Sequence, residues 1–322
     1  MQLSHKSNFY LLDKPKTWTS QDLCTKLKKN FKFKKVGHSG TLDPNADGLM
    51  LLATNGYTKL FDYIDNTNKT YKVIAILGYS SPTLDVDSEI TKHDDISTEQ
   101  LKPQIQEFLS NLVGESTQTP PIYSAIKVKG KRLYKYARQN QDVEIPDRKI
   151  FVERTELLEL LDNKVTFEIT VSKGTYIRSI VQQLGEYLNT YAIVSTLTRT
   201  AVGNLNINHK SLNTNVEAIN HNSKIVSIDW AEVLNLPKIE LDVEMHETIK
   251  NGQLLPRNMF SNEENYIISI ENNIVAIYKP FNEKYYKPEK VLSWEYKKIL
   301  LPIILLMISL QMSVLVDLME YI

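Results

Sequence analysis

The sequence predicts an α+β fold, because strand-like and helix-like segments follow one another without a regular strand–helix alternation. Residues 71–78 (YKVIAILG) are rich in β-branched residues, and residues 150–160 and 164–172 are expected to pair as two further strands. Residues 20–31 and 177–188 instead carry apolar residues at helical spacing. Both kinds of segment, in this order, are typical of an α+β domain.

Further elements are predicted in the first 110 residues. Residues 9–15 (FYLLDKP) have the pattern of a short strand that ends at a turn. The helix at 20–31 is expected to start at Ser20, a good N-cap residue. Residues 97–109 are a second helix candidate with Thr/Glu capping chemistry at the start.

The C-terminal third differs in composition. Residues 204–223 include seven asparagines, which predicts a poorly ordered connector rather than a regular element. Beyond it, LPKIELDVEMHETIKNGQLL and YIISIENNIVAIYKP predict a small strand-rich domain.

The last residues form an apolar tail. Residues 299–316 contain no charge and follow Lys297 and Lys298, a length that only just suffices to span a bilayer. Pro302 and Gln311 weaken that interpretation, so membrane association through this segment is an alternative that we do not favour.

Composition places the chain among globular proteins, with 42% hydrophobic and 24% charged residues. A single cysteine, Cys24, excludes an internal disulfide and fits a reducing compartment, and we expect it to be a small buried residue. The six histidines are far apart with no Cys/His cluster, so no metal site is predicted.

Formal net charge is zero, yet the basic residues are clustered. Residues 26–35 carry six lysines in ten, and residues 127–138 (KVKGKRLYKYAR) carry six basic residues with two tyrosines. Basic residues mixed with aromatics suit a phosphate backbone with bases that can stack. A solvated, lysine-rich helix face is the alternative that charge alone leaves open.

Residues 43–48 (DPNADG) have the spacing of the start of a calcium-binding loop, with Gly48 at the sixth place. That loop requires a glutamate at its twelfth place, where this chain has Thr54. We therefore interpret Asp43 instead as a carboxylate held out on a turn-rich loop, although an Asp before Pro is also a common turn former.

Four long segments decide between these readings of Asp43. They are GHSGTLDPNADGLMLLATNGYTKL (37–60), KTYKVIAILG (69–78), QTPPIYSAIKVKGKRLYKYAR (118–138) and VSKGTYIRSIVQQLGEYL (171–188). In order and spacing they resemble the tRNA pseudouridine synthases of the TruB type, strongly over residues 8–203 and weakly over 235–292. The resemblance implies a pseudouridine-synthase fold, with a mixed, mostly antiparallel central sheet flanked by helices and loops, and a small strand-rich C-terminal domain.

The resemblance also implies how the chain is divided. Residues 1–235 would form the catalytic domain, including an insertion around 95–150 that clamps the RNA. Residues 236–295 would form a small RNA-contacting domain. The apolar tail at 296–322 is not a usual feature of the family.

The implied reaction is the isomerisation of uridine to pseudouridine at position 55, in the T-loop of tRNA, on a flipped-out base. The residue in the place of the family's nucleophile is Asp43. A carboxylate in a water-poor pocket needs a cation to stay ionised, and Arg178 of KGTYIR matches the family's partner for that purpose. Tyr71 matches a tyrosine that lies against the uracil and is a candidate proton acceptor at C5.

Other matching positions are implied to bind the substrate. Tyr176 and Leu197 would line the base pocket, His38 would fill the space that the base leaves, and Lys69 belongs to the same set. The residues expected at the RNA backbone are Lys127, Lys129, Lys131, Arg132 and Arg138.

The chain departs from the family after residue 78. SSPTLDVDSE places Pro82 and Ser88 where the family has Asp and Gly, while Asp85 is kept. This puts the local turn in doubt rather than the chemistry.

The resemblance favours a cofactor-free, cytoplasmic isomerase that binds the T-arm of tRNA as a monomer and requires no protein partner. The alternative from another class is a non-catalytic tRNA-binding protein that acts as a folding chaperone. The presence of Asp43, Tyr71 and Arg178 together favours the enzyme, because a pure binder would not need all three.

Overall fold

The computed structural model describes residues 6–64 and 68–292, and the chain divides after Asn235 into two units. The apolar tail, with its candidate membrane segment at 299–316, lies outside the described residues. Within the described ranges, no helix has the length and apolar character needed to cross a membrane.

The first unit contains most of the secondary structure. Its strands are β1 (Phe9–Lys14), β2 (Val36–His38), β3 (Asp47–Thr54), β4 (Lys69–Leu77), β5 (Tyr79–Ser80), β6 (Thr91–Lys92), β7 (Gly114–Gln118), β8 (Lys127–Val128), β9 (Lys131–Arg132), β10 (Arg148–Leu161), β11 (Lys164–Val171), β12 (Ala192–Val202), β13 (Leu205–Asn206) and β14 (Leu212–Asn213). Its α-helices are α1 (Ser20–Phe31), α2 (Lys102–Asn111), α3 (Leu133–Ala137), α4 (Ile177–Tyr187) and α5 (Trp230–Val233).

A mixed sheet organises this unit. Its strand order is β14-β1-β3-β12-β4-β11-β10-β7, with β13 beside β12 and β2 beside β3. Only β1–β14 and β12–β3 are parallel among its described pairs, so the sheet is mostly antiparallel. The expected pairing of β10 with β11 is confirmed.

Helices cover the face of the sheet that carries Val73, Ala75 and Leu77 of β4. Apolar residues of α1, α2 and α4 share one core with these side chains. The period-two alternation of β4 explains why its odd-numbered residues point into this core. Tyr71 lies on the same face, at the edge of the core.

Helix α1 matches the predicted span, but its first residue does not cap it. Thr19 is the N-cap and forms a capping box with Asp22, so the expectation for Ser20 is wrong. The Ser20 hydroxyl is used elsewhere: it accepts from the Leu42 amide at 2.8 Å and donates to the Leu42 carbonyl at 3.1 Å. Cys24 is buried, as expected.

The second predicted helix begins later than expected. A 3₁₀ turn covers Thr98–Leu101, and α2 follows without a side-chain cap at either start. The capping prediction is wrong because the Thr98 hydroxyl donates to the carbonyl of Asp162 at 3.0 Å, on the β10–β11 turn.

The asparagine-rich segment is more ordered than its composition predicts. Its strand β14 pairs in parallel with β1, at the edge of the sheet. The Asn213 amide group donates to the carbonyls of Leu11 and Val226 at 2.9 Å each, and its oxygen accepts from the Val226 amide at 2.8 Å. The Asn213 side chain therefore links backbone groups of different segments, a role that the turn propensity of asparagine does not reveal.

The second unit is a strand-rich domain, as the sequence predicts. It contains β15 (Lys238–Glu240), α6 (His246–Lys250), β16 (Leu255–Pro256), β17 (Tyr266–Ile270), β18 (Asn273–Pro280) and β19 (Tyr285–Val291). The strands form one sheet in the order β15-β17-β18-β19-β16. Stacking of Phe260 on Tyr286, with ring centroids 3.7 Å apart, helps to fill its core.

Candidate active site

The loop between β2 and β3, residues 39–46, carries Asp43 and is held on both sides of that residue. Ser20 binds both backbone groups of Leu42. The Pro44 carbonyl accepts from the Thr17 amide at 2.8 Å and from the Nζ of Lys14 at 3.2 Å. Because both neighbours are fixed, the Asp43 carboxylate has a defined position although its side chain is 38% exposed.

Residue 48 has to be glycine because the backbone of β12 passes close to it. Its φ is +100°, and a Cβ there would lie 2.4 Å from the carbonyl oxygen of Arg199. The glycine of DPNADG thus allows β3 to run against β12, an explanation that needs no calcium ion. The described ranges contain no group of three or more His, Cys, Asp or Glu residues arranged to hold a metal.

Arg178, in the first turn of α4, orients Asp43. Its Nη2 lies 2.9 Å from Oδ2 of Asp43, while its own side chain is only 5% exposed. The same guanidinium donates from Nη1 to the Thr83 carbonyl at 2.8 Å and from Nη2 to the Tyr123 carbonyl at 3.1 Å. The arginine is therefore a buried, fixed support, and the carboxylate is the exposed member of the pair.

Asp85 is a second, buried partner of this arginine, with Oδ2 3.7 Å from Nε of Arg178. Oδ1 of Asp85 accepts from the Thr83 hydroxyl at 2.5 Å and from the Asp87 amide at 3.0 Å. Ser88 takes part in the same turn, since its Oγ lies 2.8 Å from the Thr83 hydroxyl. Ser88 is thus part of the hydrogen-bonded turn.

Two neighbouring strands provide the floor of a cleft beside Asp43. Tyr71 of β4 and Arg199 of β12 are directly opposite in register, so their side chains share one face of the sheet. Lys69 and Leu197 are two residues away along the same strands and lie on that face too. All four line a cavity of about 280 Å³ together with Asp43, Arg178 and Tyr176.

Tyr176 immediately precedes α4 and is fixed through its backbone. Its amide donates to Oε1 of Gln118 at 2.8 Å, and Nε2 of Gln118 donates to its carbonyl at 3.1 Å. Burial, ahead of all other causes, raises the pKa of Tyr176 above the ordinary value. The phenol therefore remains protonated, as a hydroxyl that faces the cavity.

His38 does not line the cavity with the other predicted substrate residues. It ends β2, directly opposite Leu52 of β3, and is half-buried. Burial first, and the charge of Arg199 second, lower the pKa of His38. The side chain is accordingly neutral at pH 7.

The residues expected at the RNA backbone lie together in a short segment that begins just after Ser124 and Ala125 of the cavity lining. Strands β8 and β9 form a hairpin that continues into α3, a segment that we call the basic hairpin (residues 127–138). Its basic side chains make cation–π contacts with its tyrosines: Lys131 lies 4.3 Å from the Tyr136 ring, and Arg132 and Arg138 flank the Tyr134 ring. Lys127, Lys129, Arg132 and Arg138 are exposed.

Comparison with known proteins identifies the family of this chain. The family model described as TruB family pseudouridylate synthase (N-terminal domain) matches residues 28–177. tRNA pseudouridine synthase B of Oceanobacillus iheyensis is 35% identical over 295 residues, covering 89% of this chain and 97% of that protein. The protein of the same name from Bacillus cytotoxicus is 36% identical over 299 residues, covering 88% and 96%. The chain belongs to the TruB family of pseudouridylate synthases.

Solved structures show the fold of the TruB family in more distant proteins. A chain in the crystal structure of a Cbf5–Nop10–Gar1 complex superposes with a TM-score of 0.64 at 23% identity, covering 90% of this chain and 86% of that one. A chain of an H/ACA RNP bound to a substrate RNA containing 2′-deoxyuridine gives 0.63 at 21%, covering 89% and 85%. The predicted pseudouridine-synthase fold is confirmed.

Several residues of this TruB-family site were not found from the sequence. Arg199 is fully buried and lines the cavity, and Lys14 is fully buried beneath the Asp43 loop. Gln118 clamps Tyr176 from 58 residues away. One signal was available: Arg199 follows Leu197 by two residues on a strand, so both belong to one face.

Proposed function

We propose that this chain isomerises uridine to pseudouridine in the T-loop of tRNA, at position 55, with Asp43 as the nucleophile. One observation carries the assignment: a half-exposed carboxylate is held at 2.9 Å by a buried arginine, at the edge of a cavity lined by Tyr71, Tyr176 and Leu197. The relatives named tRNA pseudouridine synthase B support tRNA as the substrate.

The reaction breaks the N1–C1′ bond of the target uridine, rotates the uracil and forms a C5–C1′ bond, while C5 loses a proton and N1 gains one. Atoms and electrons balance without a redox partner. Asp43 acts on the base or on C1′, or assists a glycal route, and a carboxylate held in one position suits each of these routes. Arg178 pairs with the carboxylate and aims it at the cavity.

The other cavity residues receive roles that follow from where they lie. Tyr71 stacks on the uracil and is the candidate acceptor of the C5 proton. Tyr176 and Leu197 contact the flipped base, which recovers part of the cost of unstacking it. Lys69 binds the same nucleotide. His38, which ends β2 and does not line the cavity, occupies the space that the base leaves in the RNA.

RNA binding is assigned to exposed cations that do not line the cavity. The basic hairpin contacts the phosphates of the T-arm, while its tyrosines offer stacking surfaces. The second unit, residues 236–295, provides an additional RNA contact. We propose that the enzyme acts as a monomer in the cytoplasm, without cofactor or protein partner.

The test uses a tRNA transcript tritiated at uracil C5, incubated without metal or nucleotide. The parent chain is expected to release tritium, and Asp43→Asn is expected to release none while it still binds the transcript. Glu217→Gln, which changes an exposed carboxylate outside the cavity and the basic hairpin, is the control and should match the parent.

Other outcomes would redirect the proposal. Binding without release by the parent would favour the chaperone function. Equal release by the parent and Asp43→Asn would mean that another carboxylate is the nucleophile.

A further inference from the structure

Arg199 is a buried cation with unused hydrogen-bonding capacity. Its side chain is 0% exposed. Nε donates to the Leu49 carbonyl at 2.7 Å, and Nη2 donates to the Gly40 carbonyl at 3.3 Å. Nη1 has no hydrogen-bond partner in the part of the chain that the structure describes. These bonds aim the guanidinium at the Asp43 loop and leave one corner unsatisfied.

The unbonded Nη1 of Arg199 lies on the same side of Gly40 as a second cation, Lys69. A Cβ built on Gly40 would lie 3.6 Å from Nη1 of Arg199, 3.6 Å from Nζ of Lys69 and 3.3 Å from its Cε. Both cations line the cavity that holds Asp43. The absence of a side chain at residue 40 thus leaves one point that both cations can reach. We call this point, bounded by Gly40, Lys69 and Arg199, the Gly40 subsite.

The charge of Arg199 has no ion-pair partner in the part of the chain that the structure describes. Asp43 and Asp85 both form ion pairs with Arg178. Among the residues at 6–64 and 68–292, no carboxylate pairs with Arg199. The charge is felt by its neighbours, since Arg199 contributes to the lowered pKa of His38 after burial itself. A buried cation without a counter-charge is costly, so an arriving anion would be bound strongly here.

We propose that the Gly40 subsite binds a backbone phosphate next to the target uridine. The inference rests on the proposed function, because phosphate is the anion that an RNA substrate brings beside a base entering the cavity. A guanidinium and an ammonium converging on one point suit phosphate oxygens. Glycine lets the phosphate approach the loop backbone closely.

This subsite gives the flipped nucleotide a second point of attachment. Asp43 and the Gly40 carbonyl belong to one loop, so a phosphate bound by Arg199 sets the distance between the nucleotide backbone and the carboxylate. Arg199 is therefore a substrate-binding residue of the reaction, separate from the exposed cations of the basic hairpin.

The experiment measures binding of T-arm stem-loop RNAs that each carry one uncharged methylphosphonate linkage, 5′ or 3′ of the target uridine. The proteins carry Asp43→Asn, which keeps the substrate unconverted. We expect one of the two linkages to raise Kd about tenfold. For that RNA, the slope of log K against log salt concentration should fall by about one unit.

The variant Gly40→Ala tests the location. Its methyl group fills the subsite and leaves the hydrogen bonds of Arg199 to Leu49 and Gly40 intact, so folding is preserved. In Gly40→Ala, the methylphosphonate linkage that weakens binding should raise Kd by less than about twofold, because the phosphate contact is already lost. Gly37→Ala is the matched control, because its methyl would meet Phe61 and Thr58 instead, and it should keep the full tenfold effect.

Two results would overturn the inference. One is equal affinity of the Asp43→Asn protein for the unmodified RNA and for both methylphosphonate RNAs; the other is an undiminished linkage effect when Gly40→Ala is added. Since the readout is binding, failure here is distinct from failure of the proposed function, which is read by tritium release. An active enzyme without linkage sensitivity would reject only the subsite.

Discussion

The Asp43 loop and the basic hairpin belong to the same unit but are built on opposite principles. The loop is held by buried groups from distant parts of the chain, including Lys14 and Ser20. The cations of the basic hairpin are largely exposed, and several rest on its own tyrosines. The proposed reaction needs one carboxylate in one place, whereas the proposed binding of an RNA backbone needs many charges in approximate places.

The largest effect that separates the two regions is expected from Arg178→Met. The change removes the partner of Asp43 and leaves Asp85 buried without a counter-charge, at a cost of about 3–5 kcal/mol in unfolding free energy. Tritium release should fall by at least about 100-fold. Single-turnover assays and urea unfolding measure the two effects.

The control for that change is Arg154→Met. Arg154 pairs with Glu168 at 2.6 Å, but its side chain is 55% exposed, so less than about 1 kcal/mol should be lost. Equal destabilisation by the two substitutions would show that burial of the Arg178 pair is unimportant.

A glycine comparison gives the next largest effect. Gly48→Ala would drive a methyl group into the Arg199 backbone, and we expect a loss of about 2–4 kcal/mol. Gly130, in the basic hairpin, also has a positive φ, of +80°, but a Cβ there meets nothing within 4 Å. Gly130→Ala should cost only about 1 kcal/mol of backbone strain.

Thermal unfolding checks this pair, with the Tm of each variant measured against the parent. Similar falls in Tm would mean that the close approach of β3 to β12 does not limit residue 48.

Single charges of the basic hairpin are expected to matter little. Lys129→Ala should weaken tRNA binding by less than about threefold, because one exposed phosphate contact among many is replaceable. Replacing Lys127, Lys129, Arg132 and Arg138 together should lower the salt slope of log K by up to about four units. Affinity that does not change with salt would contradict the assignment of this segment to the RNA backbone.

The smallest effect concerns His38. Its folded pKa is lowered, so between that value and its ordinary value near 6.5 the unfolded chain binds more protons than the folded one. Unfolding free energy should therefore decrease as the pH falls through this window, and the decrease should be smaller in His38→Gln. Urea titrations between about pH 7.5 and 5 measure the difference; identical pH dependence in both proteins would refute it.

Local pattern was sufficient for much of the fold. The β-branched run of β4, the pairing of β10 with β11 and the apolar spacing of α4 are properties of short segments, so they could be read directly. The elements that were misjudged depend on distant partners. Thr98 bonds to Asp162 rather than capping α2. Asn213 joins β14 to Leu11 and Val226, which lie 202 and 13 positions away along the chain.

By itself, the sequence determined the fold class, the family and the residues that the motifs present: Asp43, Tyr71 and Arg178. Tertiary structure alone decided how they are supported. Arg199 reaches the Leu49 carbonyl across 150 positions, and Gly48 is required only because another strand passes it. The physical reason is that burial and charge compensation are properties of the folded chain, which brings together residues whose separation in sequence carries no periodic signal.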